Sequence, residues 1–311
     1  VFYVGLINTL VVALVGIIIA TVLGLLIGIA RLSNNYLIAK LAGGYIELFR
    51  NIPVLLQIFF WYNIFINIFP HPKKSFSFFD IAFLNQRGLY LPKPILESGF
   101  SLVIIAFVVG IILTVFMKRY FNKKHDETGV YTKTLGYSTL LIFGLPAVFF
   151  LLLGSPLSFD LAVLGKFNLK GGMQIVPEFI ALTFALSVYT ATYIAEAIRS
   201  GIEAVDKGQK EAAAAIGLTQ TQSLKLIVLP QALRVAIPPT INQYLNLTKN
   251  SSLATAIGYP ELMSAFGGTV LNQVGQAVEI LGMAMLVYLF ISLCISFLLN
   301  VVNKRMAIPE R

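Results

Sequence analysis

Apolar and polar stretches alternate along this chain on the scale of a lipid bilayer. From Val1 to Ala30 no residue is charged, which exceeds the roughly 20 apolar residues that a helix needs to cross hydrocarbon. Further apolar runs occupy Ile52 to Phe69, Ser98 to Met117, Gly136 to Leu153, Pro177 to Ile198 and Ile280 to Val302. A seventh is less lipid-like. Only fourteen uncharged residues separate Arg234 from Lys249, and they include Pro238, Pro239, Asn242, Gln243 and Asn246. Amides within a membrane face other helices or a watery cavity, and discontinuous helices line transport paths. One broken element is therefore expected from there to Met263. The pattern predicts an all-α polytopic membrane protein of about seven spans, with residues 70–99 and 154–176 as external loops.

Composition agrees: 57% of the 311 residues are hydrophobic and 12% charged, about half the charged share of a soluble domain. The formal net charge of +9 does not gather on one face or tail, which argues against a nucleic-acid partner. It falls in particular loops instead. With the polar island around residue 211 placed in the cytoplasm, sixteen Lys and Arg lie in 31–50, 118–136, 199–235 and 303–311, against six in the external loops. This positive-inside bias puts the start outside and the C-terminus in the cytoplasm. A lone cysteine, Cys294, excludes an intrachain disulfide, and His71 and His125 lack metal-ligand spacing. The chain opens at Val1 inside an apolar run with no basic leader, so no signal peptide is expected and further sequence is expected ahead of it.

The polar island runs from Gly208 to Pro239. Glu211 to Ile216 is dominated by alanine, the strongest helix former and the one that admits close approach. Gly217 suits a left-handed helix end, Thr219 with Gln222 has capping-box spacing, and Pro230 stands where it can end a second short helix. Read from the residues alone, this is either a docking helix or a solvated linker. Glu211-Ala212-Ala213, then Gly217, then Ile227-x-Leu229-Pro230, resembles the EAA loop of ABC-importer permeases. That resemblance implies that Gly208, Glu211, Ala212, Ala213, Gly217, Leu229 and Pro230 belong to a cytoplasmic coupling element seated in a groove of an ATPase subunit.

A second stretch, Tyr45-x-Glu47-x-Phe49-Arg50-x-x-Pro53-x-x-x-Gln57, resembles a signature of the histidine and glutamine permease family. Taken without it, Glu47 and Arg50 are an i,i+3 pair on a helix end. Tyr193, Glu196, Arg199, Gly201 and Ile202 resemble the family's approach to the coupling loop. The two spans between residues 98 and 153 have no counterpart in the compact family core and resemble an insertion seen in general L-amino-acid permeases. The chain thus divides into core spans 1–69, an insertion 70–176, and a core 177–311 carrying the coupling loop. The resemblance implies a type I importer permease fold and a bacterial inner-membrane subunit. The implied partners are cytoplasmic ATPases that hydrolyse ATP with magnesium, a second homologous permease and a periplasmic amino-acid-binding protein, with an L-amino acid as cargo.

No cofactor or catalytic activity is expected of this chain. No Gly-x-x-x-x-Gly-Lys-Ser/Thr phosphate loop occurs, and Gly165-Lys166 is followed by Phe167. An ion-coupled carrier is the rival reading, but it requires ionisable groups deep in the spans, and the apolar runs hold none there. Asn242, Asn246, Asn250, Ser251 and Ser252 are the expected substrate path, since amides and hydroxyls hold an amino acid with little net charge; interhelical hydrogen bonding is the alternative role. The family usually reads Lys-Asp-Ser/Thr-Ser-Leu where this chain has Lys249-Asn250-Ser251-Ser252-Leu253. Without that carboxylate a cationic preference is in doubt, and a broad or neutral-to-acidic range fits better.

Overall fold

The computed structural model describes residues 1–129, 134–165 and 168–306; the positions expected for Lys133, Lys166 and Arg311 fall outside them. It separates into two compact units, residues 1–71, 85–88 and 175–311, and residues 72–84 and 89–174. In the first unit, helices α1 (Phe2–Arg31), α2 (Tyr36–Asn51) and α3 (Val54–Asn67) precede α7 (Pro177–Glu203), α8 (Lys207–Ala215), α9 (Gln220–Ser223), α10 (Leu229–Asn250), α11 (Leu271–Val274) and α12 (Ala277–Met306). In the second, α4 (Phe100–Thr128), α5 (Leu135–Thr139) and α6 (Leu145–Leu152) carry short strands at one end. Among the described residues six helices are long and apolar enough to cross a membrane, or seven if α2 and α3 count as one bent span.

Helix α7 is the centre of the first unit. Ala181, Leu182, Ala185, Leu186, Ala191 and Ala195 are fully buried, packed chiefly by α1, α10 and α3. Two lipid-bathed helices gain nothing from hiding leucines, so they associate by close backbone approach at small residues. Helix α1 supplies those: its buried face is Gly5, Thr9, Ala13, Gly16, Ala20, Gly24 and Gly28, with Val12. A Cβ at Gly24 would stand 2.7 Å from Ile194, and one at Gly28 would stand 3.0 Å from the Ala195 carbonyl. Read only as an uncharged run, α1 gave no hint of this rail.

The 31–50 stretch, read as a loop, is the amphipathic helix α2, capped by the Asn35 side chain, which accepts from the Leu37 and Ile38 amides. It meets α3 at 102°, because Pro53 cannot extend the helix and pushes the preceding Ile52 to an extended conformation. Buried Gln57 braces the bend by donating to the Phe49 and Ile52 carbonyls at 2.8 and 2.9 Å.

Three further expectations need correcting. Pro230 does not end a short helix. A wide π-turn over Leu224–Val228, in which the Leu229 amide reaches the Leu224 carbonyl, absorbs the missing proline donor, and the helix runs on from Gln220 to Ile257. The element expected to break between Arg234 and Met263 does so only near its end: Pro238 and Pro239 lie inside α10, and the helix narrows to a 3₁₀ turn over Ser251–Ile257 before stopping at Gly258 (φ 75°). The basic stretch after Met117 is not a loop, since α4 continues to Thr128. Its 29 residues span about 44 Å, which carries Lys118 to Lys124 past the hydrocarbon.

Past Gly258, fully buried Glu261 accepts from the Thr255 and Tyr288 hydroxyls and from the Met263 and Ser264 amides, at 2.6 to 2.8 Å. Four donors satisfy a carboxylate that would otherwise be costly to bury. Ser264–Val270 then winds as a π-helix into α11.

In the second unit, α4 buries Ala106, Gly110 and Thr114 against α6 and the π-turn Leu140–Gly144. The stretches read as external loops hold strands: β1 (Phe76–Phe78), β2 (Ala82–Asn85), β3 (Gly88–Leu91), β4 (Lys93–Leu96), β5 (Leu157–Asp160), β6 (Val163–Leu164), β7 (Leu169–Lys170) and β8 (Met173–Ile175). They form a sheet of order β1-β2-β3-β8 and the ribbons β4-β5 and β6-β7, around a small core of Phe83, Tyr90, Ala162 and Leu169. Strands of two to four residues carry little periodicity to read.

Replacing Gly24 with Val is expected to cost about 1–3 kcal/mol through overpacking, lowering the thermal midpoint in detergent. Gly282→Ala, at a helix position with open space around it, should leave that midpoint unchanged in the same fluorescence-detected melt.

Candidate functional site

The polar island opens with a short exposed helix, α8, between α7 and the long helical run that contains α10. Asp206 caps α8 by accepting from the Gly208 amide at 2.6 Å. The helix closes with a Schellman pair, the Gly217 amide on the Ala214 carbonyl (3.0 Å) and the Leu218 amide on Ala213 (3.1 Å). Gly217 has φ 80°, which a Cβ would strain. Thr219 and Gln222 form the expected capping box.

Within α8 only Ala213 is buried, while Glu211, Ala212, Ala214 and Ala215 face outward, followed by exposed Ile216. Ile202, Val205, Val228 and Ala232 form a small core between the end of α7 and the start of α10; α8 packs on the π-turn Leu224–Val228, and the Gln231 amide reaches Gln209 at 3.5 Å. Gly201 lets α7 cross α10 closely, since a Cβ there would meet the Ala232 carbonyl at 2.6 Å. Leu229 and Pro230 are not on α8; they open α10. A groove of about 390 Å³, lined by residues including Lys210, Ala214, Leu218 and Leu224, runs beside the helix. The result is a rigid, small-residue knob whose movement would be passed to α7 and α10.

The five expected path residues do not act as one set. Asn246 and Asn250 line a cavity of about 290 Å³ with Gln243, Tyr189, Thr190 and Tyr193. Asn242 is exposed and outside that lining. Ser251 is fully buried and donates to the Thr248 carbonyl at 2.7 Å. Ser252 turns away to another cavity, of about 540 Å³, which it lines with Lys249, Met263, Tyr288 and others. The helical phase decides this, because 243, 246 and 250 share a face that 251 and 252 leave.

Sequence reading passed over the other wall of the first cavity. Tyr189 and Tyr193, one turn apart on α7, share a hydroxyl hydrogen bond of 2.9 Å. The Arg50 guanidinium lies over the Tyr193 ring, 5.4 Å from its centroid, a cation–π contact. Among the described residues no ion pair joins Arg50 to Glu47, so the expected surface pair is replaced by this contact. Arg199 instead pairs with Glu196 at 3.0 Å and with Glu203 at 2.7 Å. The i,i+4 tyrosine spacing was the available signal. Amides and hydroxyls line the cavity with no carboxylate among them, and its size suits a small polar solute.

Comparison with known proteins completes the picture. The profile of the family described as binding-protein-dependent transport system inner membrane component matches residues 129–308. YhdX of Escherichia coli strain K12 is 54% identical over 312 residues, which cover 100% of this chain and 79% of YhdX. The general L-amino acid transport system permease protein AapQ of Rhizobium johnstonii is 51% identical over 308 residues, 99% of this chain and 77% of AapQ. The crystal structure of an amino acid ABC transporter with histidines is similar over 98% of this chain and 93% of its own, with TM-score 0.57 and 21% identity.

Replacing Gly217 with Val should undo the Schellman closure. Hydrogen–deuterium exchange over 207–218 is expected to rise severalfold while α7 and α10 stay protected.

Proposed function

The chain belongs to the inner-membrane components of binding-protein-dependent transport systems, and from that membership we propose the division of labour among its parts. Its fold is that of type I ABC-importer permeases, and it is the membrane-spanning permease subunit of an ATP-driven amino-acid importer. The relatives lend nothing to the ion-coupled alternative. L-Amino acids of broad or neutral-to-acidic character are the cargo we assign. Such a subunit works by exposing one cavity alternately to either side of the bilayer.

In this reading α8 and its closing turn, from Gly208 through Gly217, are the handle that a cytoplasmic ATPase grips, with Leu229 and Pro230 fixing the root of the helix behind it. The single observation that carries it is the capped Glu211-Ala212-Ala213 helix, exposed except at Ala213 and packed on the π-turn that leads into α10. ATP and magnesium are bound and hydrolysed by that partner. A second homologous permease completes the pathway, a periplasmic binding protein delivers cargo, and the C-terminus lies in the cytoplasm of the bacterial cell. Residues 70–176 are an insertion into the compact core. Asn246 and Asn250, with Tyr189 and Tyr193, are the cargo contacts; Asn242, Ser251 and Ser252 support the helices around them.

Glu211→Lys or Gly217→Leu is expected to abolish uptake of labelled amino acid while the protein stays in the membrane; full uptake by both variants would remove the docking assignment. Uptake into vesicles should require internal ATP and survive a protonophore. Asn250→Asp, which restores a carboxylate to the cavity, should make arginine and lysine severalfold better competitors in the same assay.

A further inference from the structure

Lys249 of α10 carries its charge near the middle depth of the larger unit, and its neighbours fix that depth. Leu247 packs on Gly16, halfway along α1, where a Cβ would stand 3.1 Å from the leucine side chain. Tyr244, three residues earlier, shares a hydroxyl hydrogen bond of 2.8 Å with Thr21, so the two helices run in opposite senses. Lys249 lies about 3 Å farther along the axis than Leu247, close to the middle of the uncharged run from Val1 to Ala30. From there the nearer headgroup layer is on the order of 10–15 Å away, more than a four-carbon stem covers. A charge at such a depth faces a wet cavity and takes a partner.

Its own chain does not supply one. Among the described residues no ion pair includes Lys249. Glu261, the acid nearest in sequence, is fully buried and already accepts from Thr255, Tyr288 and two amides. The cavity of about 540 Å³ that Lys249 lines is walled from α12 by Leu281, Met285, Leu289 and Ser292, which the three- and four-residue spacing sets on one helical face. The Ser252 hydroxyl is committed to the Lys249 carbonyl at 2.8 Å and the Tyr288 hydroxyl to Glu261 at 2.6 Å. Ser292 has no hydrogen-bond partner among the described residues, so an ammonium from α10 and a hydroxyl from α12 enter one cavity with nothing to donate to.

We propose that α10 carries a second cargo site, on a face apart from Asn246 and Asn250, in which Lys249 and Ser292 hold the carboxylate of an amino acid and Leu281, Met285 and Leu289 take an aliphatic side chain. Charge selects the occupant. A carboxylate is the one anionic group that every amino acid brings, whereas a lipid phosphate stays in a layer that Lys249 does not reach. The first cavity offers amides and hydroxyls and suits polar side chains, so two faces of one helix divide a broad range of cargo between them. This second site rests on the proposed function, in which amino acids are the cargo.

The intact transporter, permeases with their ATPases, would be placed in lipid nanodiscs and its equilibrium binding of radiolabelled leucine and glutamine measured. Lys249→Gln is expected to weaken leucine binding roughly tenfold or more and glutamine binding by less than about twofold, as for independent sites. Lys249→Arg should keep most of the leucine affinity, Ser292→Ala should lose severalfold, and leucinamide, which lacks the carboxylate, should not displace leucine from the unaltered complex. The second site is overturned by unchanged leucine affinity in Lys249→Gln, by equal loss for both amino acids, or by leucinamide competing as well as leucine. It is equally overturned if laurate binds there more tightly than leucine, which makes it a fatty-acid site, or if the Lys249→Gln complex falls apart into single permeases on size exclusion, which gives the cation to a permease–permease contact. ATP-driven glutamine uptake by the unaltered complex tests the transport assignment separately, so the two failures are told apart.

Discussion

Helix α7 can lie buried at the centre of the larger unit because α1 offers it glycine and alanine where a soluble protein would offer leucine. In lipid there is no hydrophobic gain from putting apolar side chains together, so only dispersion and close backbone contact hold the pair. Gly24 and Gly28 bring the α1 backbone against Ile194 and the Ala195 carbonyl, and Gly16 admits Leu247 of α10. Every other feature of the unit is referred to α7. It supplies two tyrosines to the cavity at one level, and at its far end Gly201 makes the crossing on which α8 stands.

That arrangement links the two halves of the proposed mechanism physically. The cavity wall from α10 (Gln243, Asn246, Asn250) and the root of the coupling helix (Leu229, Pro230) belong to one uninterrupted helical run. A push on α8 would pass through Val205, Val228 and Ala232 into both helices that line the cavity. Such a lever must be continuous, and the helical run passes through Pro230, Pro238 and Pro239 without a gap.

Departures from regular helix fall where the backbone would otherwise be left unsatisfied. The π-turn before Pro230 brings the Leu229 amide onto the Leu224 carbonyl, the 3₁₀ turn at Ser251–Ile257 narrows the helix before Gly258, and Glu261 collects the loose amides of the next turn while bonding Thr255 and Tyr288. Within a membrane no water repairs such ends, so side chains must.

Much was settled by sequence alone, for a physical reason. Hydrocarbon thickness sets the length of an apolar run and local chemistry sets a cap; the Asp206, Gly217 and Thr219–Gln222 signals each need only their neighbours. Family likeness added Glu211-Ala212-Ala213 and the Tyr45-to-Gln57 stretch. Tertiary structure decided what depends on partners distant in the chain. Pro230 looks like a stop until the π-turn ahead of it is seen, and Arg50 looks paired with Glu47 until Tyr193 arrives from α7. The polar residues 242–252 look like one wall until helical phase and the change to 3₁₀ divide them. Periodicity can say which residues are apolar and which are polar, but in lipid both can face a neighbour, so only packing tells which ones do.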